Sequence, residues 1–172
     1  MSNVVYLMCS LPSLTFDKVP PISLDEFNSD AKSQLSSRHF RLLELVELGK
    51  INSEKKAGLK SIAEMLADVQ QDISEIRSAK AQNRQPQMAK LPKSLSALNP
   101  LEREKLILQW QWEELDSIES GKTFTLTEVM VYKLKLQILN RLHSFDEKKG
   151  AQILASVVNP SKKEKDDGRS EN

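Results

Sequence analysis

Few side chains in this chain are suited to chemistry. One cysteine, Cys9, and two histidines, His39 and His143, stand far apart in 172 residues. A single cysteine makes no intrachain disulfide. One Cys with two distant His also lacks the close spacing of a zinc site. Phosphate-cradling glycine loops, Gly-x-Ser-x-Gly turns and His-Glu-x-x-His pairs do not occur in the sequence. The adjacent carboxylates Glu113 and Glu114 fall on an exposed-looking helix, where such pairs are solvated. What remains is Lys135, set among apolar residues. A lysine there pairs with a carboxylate, reaches out to solvent along its stem, or faces a partner. A nucleophilic role is the minor reading, because no second nucleophile and no substrate-holding loop accompany it. The expectation is a protein with no catalytic residue, no cofactor and no metal.

Charge narrows the partners. Lys and Arg number 25 against 24 Asp and Glu, for a net charge of +1. A balanced chain has no long-range field to gather nucleic acid or anionic lipid, and its basic residues are not interleaved with aromatics. Nucleic acid is therefore excluded as a partner. The longest apolar runs fall well short of the roughly 20 residues of a membrane span. Residues 4–9 lack the basic flank and length of a secretory signal. The expected location is the cytoplasm, without direct membrane insertion.

The elements that position these residues are helices. Only 5 glycines occur, and Leu, Lys and Glu are abundant, which favours helix over tight-turned β structure. The expected fold class is all-α: a helical bundle with one long coiled-coil-like helix and a disordered C-terminal tail. Residues 1–158 form a single helical domain. Within it, residues 23–83 give a helical hairpin and then a long helix. Residues 84–98 are a polar, exposed linker, and residues 99–158 hold a C-terminal helical pair. Residues 159–172 are the solvated tail. Val4, Val5, Tyr6 and Leu7 fit either a short strand or a buried helical turn. Ser23 with Glu26 makes a capping box, and Ser36 caps again. Gly49 suits a left-handed stop. Asn99 and Pro100 open one later helix, and Thr125 with Glu128 opens the next.

Two of these helices carry the candidate surfaces. Leu59, Ile62, Leu66, Val69, Ile73 and Ile76 step by three and four without a break, a heptad seam. It lies either on the body of its own domain or against a second helix, so a homo-oligomer through the long helix is one expected partner. At about 100° per residue, the helix over residues 125–144 is apolar around most of its girth, leaving the polar stripe Lys133, Gln137, Asn140 and Ser144. Such a helix is central to a bundle or sandwiched against a partner. Lys135 sits inside its apolar arc, with Glu113 or Glu114 as the expected mate, and Arg141 sits at the border. Trp110 and Trp112 are about 200° apart on their helix, so either one faces outward or both pack inside.

Residues 4–17, Val-Val-Tyr-Leu-Met-Cys-Ser-Leu-Pro-Ser-Leu-Thr-Phe-Asp, resemble the opening of the bacterial C-subunit-like proteins of V-type ATP synthases. The stretch Trp110-Gln111-Trp112-Glu113-Glu114-Leu115 is similar to that family's tryptophan-bearing helix. Tyr132, Lys135, Ile138 and Arg141 match its Tyr-x-x-Lys-x-x-Ile-x-x-Arg helix, and Gly150 matches the turn beyond. The resemblance covers the first 17 residues and residues 106–150, in the family's order. It implies a non-catalytic central-stalk adaptor, bound to the central shaft and the membrane ring, that couples the two during proton or sodium transport. The chain would then sit peripherally at the inner face of the membrane through that complex. The motif residues Trp110, Trp112, Tyr132, Lys135 and Arg141 would be structural or interface residues. The alternative is a helical scaffold that self-associates through residues 59–76.

Overall fold

The computed structural model describes residues 3–48 and 57–145, and among them every regular element is helical. Helix α1 spans Val4–Ser10, settling the first short apolar run as helix. The Asn3 side chain accepts the Tyr6 N–H at its start. Leu11 turns extended at its end, as a residue before proline must. The Asn3 N–H then bonds the Gln34 carbonyl, 2.9 Å away, tying α1 to the end of the next helix.

Helix α2, Leu24–Gln34, carries the expected capping box. The Glu26 N–H donates to the Ser23 hydroxyl and the Ser23 N–H donates to the Glu26 carboxylate. The Ser23 backbone and hydroxyl donors hold the exposed Glu26 carboxyl below its ordinary range. Phe27 and Ala31, one turn apart, are fully buried. Helix α3, Ser37–Glu44, is capped by Ser36 and buries Leu43. The expected stop at Gly49 lies outside the described residues.

Helix α4, Ala57–Ala81, is the long helix. Its seam packs on its own chain. Leu59, Ile62 and Leu66 join the main core with Leu108, Trp112 and Leu115, while Val69 and Ile76 join a smaller core with Leu91, Leu95 and Ile107. Ile73 is the partly buried member of the series. The spacing by three and four therefore reads one continuous contact face inside the molecule. Asn83, at φ 50°, ends the helix in a Schellman turn, with the Arg84 N–H reaching the Ala79 carbonyl and the Asn83 N–H reaching Lys80.

The connection after α4 departs from the expected exposed linker. Its polar start is exposed, but Leu91 and Leu95 are 4% and 0% exposed. A short 3₁₀ turn, Lys93–Ala97, carries Leu95 inward. The physical reason lies on α4. The Asp72 carboxylate accepts the N–H groups of Ala89, Lys90 and Leu91 at 2.8–2.9 Å. Burial pushes this carboxyl up, but the Leu91, Ala89 and Lys90 donors outweigh that and hold it below its ordinary range, against the nearby Glu75. One turn on, Glu75 grips the Arg84 guanidinium and the Gln87 N–H. Those two bonds bring its carboxyl down to about 2. Paired acids on one helix face thus fasten a loop whose few apolar residues, Met88, Leu91 and Leu95, pack inward.

Helix α5, Pro100–Glu119, begins with the Asn99 cap and proline at its first position. Gly121, at φ 72° and with open space around it, reverses the chain. Helix α6, Leu126–Ser144, returns antiparallel to α5, capped by Thr125. The Glu128 carboxylate accepts the N–H of Phe124, one residue ahead of the expected partner. Helix α6 touches each of the other five helices and is the axis of the bundle. Val129, Val131, Leu134, Leu136, Ile138 and Leu139 are fully buried on it. Truncating Leu134, Leu136, Ile138 or Leu139 to Ala costs about 2–5 kcal/mol. The expected turn and helix over residues 146–158 and the tail over 159–172 lie outside the described residues.

Candidate interaction site

Of the motif residues on α6, Tyr132 fastens that helix to the N-terminal part of the chain, and Lys135 and Arg141 fasten it to α5. Tyr132 is 7% exposed. Its ring stacks on Phe27 of α2 at 5.4 Å, and its hydroxyl donates to the Pro12 carbonyl at 2.8 Å. Burial pushes the phenol up to about 12. It therefore stays a neutral donor at every ordinary pH. Pro12 opens the irregular stretch after α1, and Asp17 closes it with a positive φ of 65°. Between them Phe16 meets Trp112 edge to face, with ring centroids 5.5 Å apart.

Lys135 pairs with α5, the first of the three outcomes open to a lysine in an apolar arc, but not with the expected carboxylates. Its ammonium contacts Asp116 at 2.7 Å and donates to Glu119, and it lies 5.5 Å from the Trp112 ring centroid. Lys135 stands midway along α6, and its long side chain leans back toward that helix's start. It so reaches the last turn of α5, where Asp116 and Glu119 share the face of Trp112 and Glu113 and Glu114 do not. At the other end Arg141 meets Glu104 near the start of α5. The two ion pairs thus bracket the length of the α5–α6 contact. Each is partly exposed and contributes about 0.2–1 kcal/mol; their larger effect is to set register. Trp112 is buried, whereas Trp110 is only partly so and packs against both cores.

The polar stripe of α6 also has work that the sequence did not reveal. Lys133 is 5% exposed, and its ammonium donates to the Leu43 carbonyl at 2.9 Å. Burial pushes this lysine down, and Glu47 and Glu44 push it back up. One turn on, the Gln137 side chain accepts the Leu48 N–H at 2.7 Å. A cation and an amide on α6 therefore hold the backbone at and just beyond the end of α3, the Leu43 carbonyl also accepting the Val46 N–H. The available signal was the four-residue step between Lys133 and Gln137 on an otherwise apolar helix; such a pair suits a chain end as well as solvent.

Chemically, this arrangement holds helices together. Among the described residues no group of His, Cys, Asp and Glu could hold a metal ion, and no helix is long and apolar enough to cross a membrane. Cys9 is exposed.

A family model of proteins of unknown function, DUF2764, matches residues 76–165. The match takes in more than half of the chain, and the chain belongs to that family. It begins near the end of α4 and includes the fastened loop, α5 and α6. No curated protein and no solved structure matches the chain.

Proposed function

We propose that this DUF2764 family member is a non-catalytic component of a V-type ATP synthase or ATPase. In this reading it is the C-subunit-like adaptor between the membrane rotor ring and the central shaft. The observation that carries the proposal is the meeting of two distant stretches. Residues 4–17 and residues 110–141 bear the resemblance to that family, and they pack on each other here. Tyr132 donates to Pro12, and Phe16 seats on Trp112. A resemblance split between chain ends is worth more when both pieces build one surface.

The mechanics suit an adaptor. Close-packed helices transmit strain with little compliance, and α6 is gripped on all sides, with ion pairs at Lys135 and Arg141 bracketing its contact with α5. On this reading the chain works in the cytoplasm, at the inner face of the membrane through its partners, and Trp110 and the outer part of Lys135 border the contact surface. The self-associating coiled-coil scaffold lacks comparable support, because Leu59, Ile62, Leu66, Val69 and Ile76 are already covered by their own chain.

The test is purification of a tagged copy from its own cells in mild detergent. Stalk and ring components of a V-type enzyme should come with it in fixed proportion. Isolation of that rotary enzyme intact and active without this chain overturns the proposal.

A further inference from the structure

The groove between α4 and α5 contains a largely buried polar side chain, Gln111. Helix α4 presents Val69, Ile73 and Arg77 at four-residue steps, and α5 presents Ile107, Leu108 and Gln111. A cleft of about 280 Å³ opens beside the contact of these rows, with Leu48 on its rim and Arg141 at its α6 side. Val69, Ile107 and Leu108 are almost wholly buried, so the floor is apolar. Gln111 is only 4% exposed, yet its carboxamide has no hydrogen-bond partner among the described residues. An amide that deep has given up much of its water, and its side-chain atoms are not sealed off from the cleft. Arg77 is exposed and has no ion pair among the described residues. Arg141 commits its Nε to Glu104. Two guanidinium groups against one carboxylate leave the cleft net positive.

We propose that this cleft binds a small aliphatic carboxylate. The hydrocarbon lies against Leu48 and Ile73, over the base that Val69, Ile107 and Leu108 form. Arg77 takes the carboxylate through the paired N–H donors that suit it, and Gln111 supplies the buried hydrogen bond. The volume lies just under the range of about 300–1,000 Å³ that accommodates drug-sized molecules, so the ligand is compact. A cation is disfavoured by the charge, and a fully apolar molecule leaves Gln111 unsatisfied. This inference does not rest on the rotary reading and concerns a different face of α5 from the Lys135 contact.

The probe is octanoate, titrated into isotope-labelled full chain while the Gln111 side-chain amide and the Ile73 methyl groups are followed by NMR. Octan-1-ol and octylammonium serve as controls. Octanoate should shift both signals saturably and octylammonium should not. Arg77→Gln, an exposed substitution, should weaken binding about tenfold or more, the worth of one charge-assisted bond. Gln111→Leu, followed at Ile73, should weaken it too. The proposal is overturned if octan-1-ol shifts the Gln111 amide as strongly as octanoate does. It is also overturned if Arg77→Gln binds octanoate as tightly as the parent, or if no saturable shift occurs, which would leave a cleft that holds only water.

Discussion

Replacing Asp72 with alanine tests whether one side chain holds the loop between α4 and α5. The carboxylate accepts three backbone N–H groups, from Ala89, Lys90 and Leu91. The Leu91 amide is buried and has nowhere else to go; orphaning such a group costs about 1–3 kcal/mol. The Ala89 and Lys90 amides are partly buried and regain water, so each loses only the net worth of a bond, about 0.5–1.5 kcal/mol. Against this, alanine no longer requires a charge to be desolvated, which returns part of the loss. The expected cost is about 2–4 kcal/mol, and a fall in Tm of roughly 2–4 °C for each of these at this chain length. Asp72→Asn should cost less. Its oxygen can keep the Lys90 and Leu91 bonds, while its NH₂ group is turned on the Ala89 N–H. The pH dependence is separate. The folded Asp72 carboxyl lies below its ordinary value, so its stabilisation is present above the carboxylate range and is lost as pH falls through the folded value. Both substitutions should flatten that acid limb. Urea unfolding followed by tryptophan fluorescence gives the free energies, and amide exchange at Leu91 gives the local effect. An Asp72→Ala protein within about 0.5 kcal/mol of the parent, in the range of an ordinary surface change, or one whose Leu91 amide keeps its protection, refutes the reasoning.

Other substitutions test the helix contacts. Tyr132→Phe should cost about 1 kcal/mol at neutral pH by removing the bond to Pro12. Because the folded phenol holds its proton to about 12 against an ordinary 10.0, the parent should lose stability over that alkaline window and the Phe variant should not, measurable by unfolding at stepped pH. The folded Lys133 ammonium is pushed down from 10.5, so the unfolded chain binds more protons just below that value. Parent stability should therefore rise with pH towards 10.5, and Lys133→Met should abolish the rise in the same titration. Gly121→Ala forces a side chain into a positive φ with no clash to add, so calorimetry should read a loss of about 1–2 kcal/mol, and Gly121→Asn a smaller one. Glu75→Gln should make the parent's acid limb shallower between pH 4.5 and about 2, leaving the share that belongs to Asp72, in the same unfolding titration.

The helix starts were legible because each is written in adjacent residues. Ser23, Ser36, Asn99 and Thr125 all cap where the sequence placed them. The central burial of α6 was legible too, since a helix apolar around most of its girth needs cover on most sides. What the sequence hid was the identity of partners across space. Lys135 needed a carboxylate, but choosing Asp116 and Glu119 required knowing which face of α5 meets α6. The roles of Asp72 and Lys133 were not legible because their partners are backbone groups, which no residue type announces. The same blindness made residues 84–98 look like a plain connection, since the reason to fold back lies on α4. The α4 seam reads as a contact face from its spacing, but spacing alone cannot say whose helix fills it.

The arrangement around α6 bears on what can be cut away. The family match begins at residue 76, so α1, α2, α3 and most of α4 precede it. Yet Phe27 stacks on Tyr132, Leu43 receives the Lys133 ammonium, and Pro12 receives the Tyr132 hydroxyl, all from that preceding part. A fragment starting at residue 76 would bare a greasy flank of α6 and strand a lysine in the middle of it. It should therefore precipitate or clump rather than stand alone. Any relative built on the same stretch has to bring its own upstream wrapping, whatever sequence that wrapping uses.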